Sequence, residues 1–139
     1  MPERYRAHEA ALLYDHELNP APAGIAAFSL WTRDGKRIRY ARTRTTVSPC
    51  RGTVVIFIGR NECIEKYHET TADLLAAGLD VLSFDWRGQG DSEHLLANRQ
   101  KGYVRRFSDY VLDVEAILRR SPCPIAARRF LFWVIRWAA

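Results

Sequence analysis

No G-x-S-x-G, no Gly-Lys followed by Ser or Thr, and no C-x-x-C occurs anywhere in these 139 residues. The missing Gly-Lys-Ser/Thr triplet excludes a Walker-type phosphate loop. Cysteine is scarce: Cys50, Cys63 and Cys123 are odd in number, form no close pair and have no His at metal-ligand spacing. They read as reduced thiols of a cytosolic protein. No apolar run reaches the roughly 18 residues that span a bilayer. The nearest, from Phe130 onward, is short and interrupted by Arg136. The first twenty residues, MPERYRAHEAALLYDHELNP, are too charged for a secretory signal. Internal repeats and low-complexity segments are absent too.

What is present fits one globular domain. The composition is 47% hydrophobic and 27% charged, and a chain of this length buries roughly 65–70% of the surface it exposes when unfolded. Net charge is +5, and of the 21 cations only residues 36, 66 and 101 are Lys. The Arg residues are spread along the chain instead of clustering, which argues against nucleic-acid binding.

The pattern along the chain is that of an α/β protein. Asn19 to Gly24 is a Pro-rich lead-in loop. AFSLWT, Asp34-Gly35 and KRIRYAR predict a hairpin on a type I′ turn, with Ile38 and Tyr40 on one face and Arg37 and Arg39 on the other. Thr53 to Ile58 has no alternation and reads as a strand buried on both faces. Ile64 to Ala77 predicts a helix stopped by Gly78. Asp80 to Asp85 is a second buried strand. From Tyr103 to Arg120, Val104, Phe107, Val111, Val114, Ile117 and Leu118 keep helical spacing, and Pro122 and Pro124 end that helix. An antiparallel hairpin followed by β-α-β-α predicts that the two buried strands pair in parallel.

In such sheets ligands bind beyond the carboxyl ends of the strands. Here those ends carry GRNE (Gly59 to Glu62) and DWRGQGDS (Asp85 to Ser92). The second loop lacks the third Gly of a dinucleotide fingerprint, so no cofactor is expected. Gly59, Glu62, Tyr67, Asp85, Gly88, Gly90 and Ser92 together resemble the N-terminal half of α/β-hydrolases of the lysophospholipase and monoacylglycerol-lipase type, often grouped as serine aminopeptidase-like. The resemblance runs from about Gly52 to Pro122 and includes the helix before the nucleophile, Phe107 to Leu118. It implies that the Arg60 backbone N–H belongs to an oxyanion hole, with Asn61 lining the same pocket and a lipid ester as the intact relative's substrate. Ile58 stands where the family usually has His. Gly59 and Arg60 also serve as a plain strand-to-helix turn, and both readings stay open.

Other candidates read as structural. Asp85 and Arg87 brace the glycine loop of Gly88 and Gly90, and Ser92 is a turn or cap serine. His68 lies on the first helix, at its surface or packed against a neighbour. His94 lies in a loop, and His8 and His16 in the N-terminal segment. Asp109 and Asp113, four apart, read as a solvated helix face in preference to an acid–base pair. No catalytic Ser, Asp and His set is found.

The resemblance places the nucleophile elbow on the strand after the Phe107–Leu118 helix, where FLFWVIRWAA stands. Read from the third base of each codon, Phe130 to Ala139 permit PVLGHSMGG, an elbow of this type. Leu and the first Gly are forced by Phe132, Trp133 and Val134, and the Gly after Met by Trp137 and Ala138. The remaining letters are permitted. The absence of acidic residues after Glu115 suits an off-frame reading of GC-rich DNA. The expectation is a frameshift between about Ser121 and Phe130. Residues 1–24 are then a lead-in, 25–122 a partial hydrolase domain and 123–139 a frameshifted tail that leaves the chain inactive. The alternative is a non-catalytic binding module whose tail is a genuine membrane-surface or partner-binding segment. In either case the tail's strand propensity suits it to pair beside Thr53–Ile58; left uncovered, that strand would be an aggregating edge.

Overall fold

The computed structural model describes residues 9–120 and the backbone of residues 130–134. His8, Cys123 and the other tail residues apart from 130–134 lie outside that range.

Six strands form one mixed sheet: β1 (Glu9–Ala10), β2 (Ala26–Trp31), β3 (Arg37–Thr43), β4 (Gly52–Phe57), β5 (Leu79–Phe84) and β6 (Phe130–Val134). Their spatial order is β1-β2-β3-β5-β4-β6. β4 and β5 pair in parallel from Gly52↔Leu79 to Phe57↔Phe84, as their unbroken apolar runs predict. β6 pairs in parallel with the other side of β4, Thr53↔Phe130 to Phe57↔Val134. The apolar, β-branched and aromatic content of FLFWV suits a strand. β3 runs antiparallel to β5, Tyr40 opposite Phe84, so the β2–β3 turn stands at the same sheet end as the carboxyl ends of β4 and β5.

Three expectations need correction. The hairpin turn is not type I′. Trp31 pairs with Arg37, the Gly35 N–H bonds the Thr32 carbonyl at 2.9 Å, and only Gly35 has positive φ (+79°). That is a longer loop with a single left-handed residue. Asp34 keeps negative φ while its carboxylate takes hydrogen bonds from the Thr32 hydroxyl and Arg87. The second helix, α2 (Asp109–Arg120), begins six residues later than Tyr103. Residues 103–106 instead pass over the glycine loop, where a Cβ on Gly88 would collide with the Tyr103 carbonyl. The first helix is a 3-10 turn, Ile64–Tyr67, that continues as α1 (His68–Ala76). Gly78 ends it with φ +85°, and its N–H bonds the Leu75 carbonyl. The lead-in also contributes β1, which pairs with β2 through Glu9↔Ser29 and Ala10↔Phe28.

The core lies on both faces of β3, β4 and β5, with Ile38, Tyr40, Val55, Ile56, Leu82 and Phe84 fully buried. Phe84 and Trp86 meet edge-on at 4.7 Å, and Trp86 meets Tyr110 of α2 at 5.0 Å. This aromatic chain seats α2 beneath the glycine loop. Among the described residues no helix is long and apolar enough to cross a membrane.

Candidate active site

β4 ends at Phe57, and the buried Ile58 carries the chain to a tight turn at Gly59. Three side chains hold that turn. The Trp86 indole donates to the Ile58 carbonyl at 2.8 Å, and the Gln89 amide to the Gly59 carbonyl at 3.1 Å. The Gly59 N–H donates to Glu62 Oε2 at 2.9 Å. A Cβ at Gly59 would lie 2.5 Å from that same oxygen, so a side chain here would displace the Glu62 carboxylate from the turn. Tyr67 and Lys66 also donate to the Glu62 carboxylate. Burial pushes the Glu62 carboxyl up, but these donors bring it below the usual range. The Tyr67 hydroxyl, desolvated beside a carboxylate, is pushed up to about 12.

The turn itself holds Arg60, exposed, and Asn61 at φ +60°, a left-handed conformation that Asn tolerates. Among the described residues no acceptor is bonded to the Arg60 backbone N–H, so that donor is available to a ligand. Ile58 is fully buried, and the donor geometry does not depend on a side chain there.

The glycine loop rests on two buried ion clusters. In the first, Arg39 is 1% exposed. Its guanidinium donates to Asp85 Oδ2 at 2.7 Å, to both Glu65 oxygens at 2.6 and 2.8 Å, and to the Leu12 carbonyl at 2.9 Å. Asp85 Oδ1 accepts the Ile64 N–H and Oδ2 the Asp91 N–H, both at 2.9 Å. Burial alone would lower Arg39, but its bonds to Glu65 and the charge of Asp85 hold it well above the ordinary range. Burial likewise pushes Asp85 up, opposed by Arg39 and the two amides. Burial also opposes Glu65's ionisation, yet Arg39 brings that carboxyl below normal.

In the second cluster Arg87 donates to Asp113 Oδ1 at 2.8 Å and to both Asp34 oxygens at 2.8 and 3.1 Å. The Arg87 N–H also bonds Asp113 Oδ2 at 3.0 Å. Asp113 is fully buried, so it is not part of a solvated helix face. It faces the glycine loop, and the half-buried Asp109 lines a cleft with Asp34 and Arg87. Burial raises the Asp113 carboxyl to about 6 despite Arg87.

Ser92 has both sides of its hydroxyl engaged. It donates to the Asp85 carbonyl at 2.7 Å and accepts the Arg39 N–H at 2.8 Å. His68 is buried with Nε2 on the Tyr14 carbonyl, and the exposed His16 accepts the Leu18 N–H. Among the described residues no His reaches a Ser hydroxyl, and no three His, Cys, Asp or Glu side chains are placed to hold a metal ion. Cys50 and Cys63 are free thiols.

The structure thus brings the Arg60–Asn61 turn and the glycine loop together. Between them lies a cleft of about 420 Å³ lined by Asn61, Gly88, Gln89, Gly90, His94 and Gly102, among others. Sequence reasoning missed Arg39, Glu65, Asp34 and Gln89. The only signal for Arg39 was an Arg flanked by Ile38 and Tyr40 in a strand. Gln89 could have been flagged by its place between two glycines of the loop.

Residues 48–132 match the family described as serine aminopeptidase, S33. The chain is 48% identical over 71 residues to lysophospholipase L2 of Escherichia coli, covering 51% of this chain and 21% of that protein. It is 35% identical over 89 residues to the probable lysophospholipase L2 of Haemophilus influenzae, covering 62% of this chain and 28% of that one. Its fold is similar to the crystal structure of a soluble variant of monoglyceride lipase from Saccharomyces cerevisiae. That similarity has a TM-score of 0.58 at 20% identity and covers 96% of this chain and 38% of that one. The chain therefore spans about a quarter of the length of the curated relatives it matches.

Proposed function

Because the chain belongs to the serine aminopeptidase family of α/β-hydrolases, we propose that it is the early portion of a carboxylic-ester hydrolase for lysophospholipids or monoacylglycerols, carrying the scaffold and the oxyanion donor but no nucleophile. The intact mechanism would form an acyl-enzyme at Ser, with His as base and Asp orienting it. Charge on the tetrahedral oxygen would be met by backbone donors, the Arg60 N–H among them. Residues 1–139 supply only this last part, and no cofactor enters the reaction.

One observation carries the proposal. β6 occupies the place beside β4 from which the elbow should rise, and it ends at Val134. The residues that follow, Ile135-Arg136-Trp137, include neither Ser nor Gly. A nucleophile elbow must begin directly at the strand end. The third-base reading of the same codons supports a frameshift between about Ser121 and Phe130, with residues 123–139 as the displaced tail. The low cysteine content supports a cytoplasmic setting.

Two measurements test this. A fluorophosphonate probe should leave the purified chain unlabelled, and covalent labelling would refute the inactive reading. Resequencing the gene from the Ser121 codon past Ala139 should find LGHSMGG in the third-base frame. Any other peptide there makes the tail native and moves the reading to a binding module.

A further inference from the structure

The cations spread along the chain, yet one stretch has no acid of its own to balance them. Residues 94–108 carry Arg99, Lys101, Arg105 and Arg106 and neither Asp nor Glu. All four cations are exposed. Arg99 makes one loose pair with Asp91 at 3.5 Å. Among the described residues no carboxylate pairs with the other three. Asp34 and Asp109 share a cleft with Arg105 and Arg106, but Asp34 is bound to Arg87 and Asp109 is half-buried. The stretch therefore presents a positive field to solvent. Large apolar side chains stand beside these charges. Helical spacing counts Phe107 and Val111 with the core-facing stripe of α2, but the structure leaves them 73% and 65% exposed. The Tyr110 N–H bonds the Phe107 carbonyl and the Val111 N–H the Ser108 carbonyl. Residues 107–111 thus form a helical turn on which Phe107 and Val111 share a face. Tyr103 is exposed as well and lines one cleft with Arg105 and Arg106.

Exposed apolar groups flanked by unpaired cations match an anionic bilayer, where the apolar groups enter the headgroup layer and the cations meet lipid phosphates. A nucleic acid would also meet the charges but would leave Phe107 and Val111 in water. We propose that the surface of residues 99–111 docks this protein on an anionic lipid bilayer, with Phe107 and Val111 inserted and Lys101, Arg105 and Arg106 on headgroup phosphates. Charge and apolar exposure carry this independently of the ester-hydrolase reading. The docked surface adjoins the Arg60–Asn61 turn, because Gly102 packs so closely there that a Cβ on it would lie 2.4 Å from Asn61 Oδ1.

The chain is mixed with vesicles of phosphatidylcholine alone and with vesicles that also contain phosphatidylglycerol, and the bound fraction is read by sedimentation. Binding to the anionic vesicles should far exceed binding to the neutral ones. It should weaken between about 0.1 and 1 M salt, as the screening length falls from roughly 10 to 3 Å. Arg105→Gln combined with Arg106→Gln should weaken it about thirtyfold, roughly fivefold for each charge lost near the surface. Phe107→Ser should weaken it about five- to tenfold. Arg105→Lys combined with Arg106→Lys keeps the charge and should bind like the parent. These side chains are exposed, so all the variants should keep the parent's urea midpoint. Equal binding to neutral vesicles, or parental binding by both the Gln and the Ser variants, overturns the proposal. So does displacement from the vesicles by a single-stranded oligonucleotide at equal phosphate concentration, which would make the patch a nucleic-acid surface. The gene sequence and the fluorophosphonate result judge the hydrolase reading separately.

Discussion

Removing the Asp85 carboxylate leaves Arg39 buried with a partner missing and frees the Ile64 and Asp91 amides. Deleting one partner of a buried ion pair costs about 3–5 kcal/mol. Asp85→Ala should therefore lower the urea unfolding free energy by about that amount, and an unchanged midpoint would mean that the cluster carries no stability. The sequence named Asp85 as a brace through its place before the glycines. For Arg39 it offered only the flanking Ile38 and Tyr40, because a strand pattern tells which residues share a face and not that a guanidinium will be enclosed. Arg39 and Asp85 are 46 positions apart, and nothing local links them.

At the scale of elements, α2 and the glycine loop are joined through Asp113. This carboxyl is raised above its unfolded value of 3.8 to about 6, so the folded chain holds a proton that the unfolded chain releases. Its contribution is fully present below about pH 4 and is lost as pH rises through about 6. Glu62, Glu65, Asp34 and Glu93 are lowered instead, and their contribution is lost as pH falls. Urea titrations of Asp113→Asn against the parent isolate the first effect. The parent should lose stability relative to the variant between pH 4 and 7, by on the order of 2 kcal/mol; a constant difference would refute the shift. The apolar spacing of α2 was readable, but its start was not. Val104 keeps helical spacing only by accident of the loop that packs it against the core.

The β4–β6 pairing supplies a second test at this scale. Phe132 pairs with Val55 at the middle of the ladder, and Pro there removes a ladder donor and breaks the strand. Phe132→Pro should leave β4 with an open apolar edge and raise light scattering at micromolar concentration. A variant that stays as soluble as the parent would show that β6 does not protect that edge.

Over the whole molecule, the N-terminal segment is tied to the site region through few but long-range bonds. The Tyr14 N–H donates to Glu65 Oε1, the Asn19 amide to the Glu65 carbonyl, and Arg39 to the Leu12 carbonyl. Deleting the first twenty residues removes these bonds and β1 together. The expected loss is about 2–4 kcal/mol in urea unfolding, and a deletion that unfolds like the parent would make the segment dispensable.

By itself the sequence determined the elements whose signal is local. Unbroken apolar runs gave β4 and β5, a 3.6-residue period gave the body of α2, and glycines at the strand ends gave the two loops and the family resemblance. Burial on both faces and left-handed turns leave such marks in consecutive residues. Only the tertiary structure decided that Arg39 and Asp113 are enclosed, that Asp34 closes a turn against Arg87, and that Gln89 ties the glycine loop to the turn at Gly59. It also decided which side of β4 the FLFWV strand would take. The side-chain pairs among these join groups 26 to 53 positions apart, and the β4–β6 ladder joins Thr53 to Phe130. A charge's partner is fixed by the sheet that folds the chain back, and no period in the sequence encodes it.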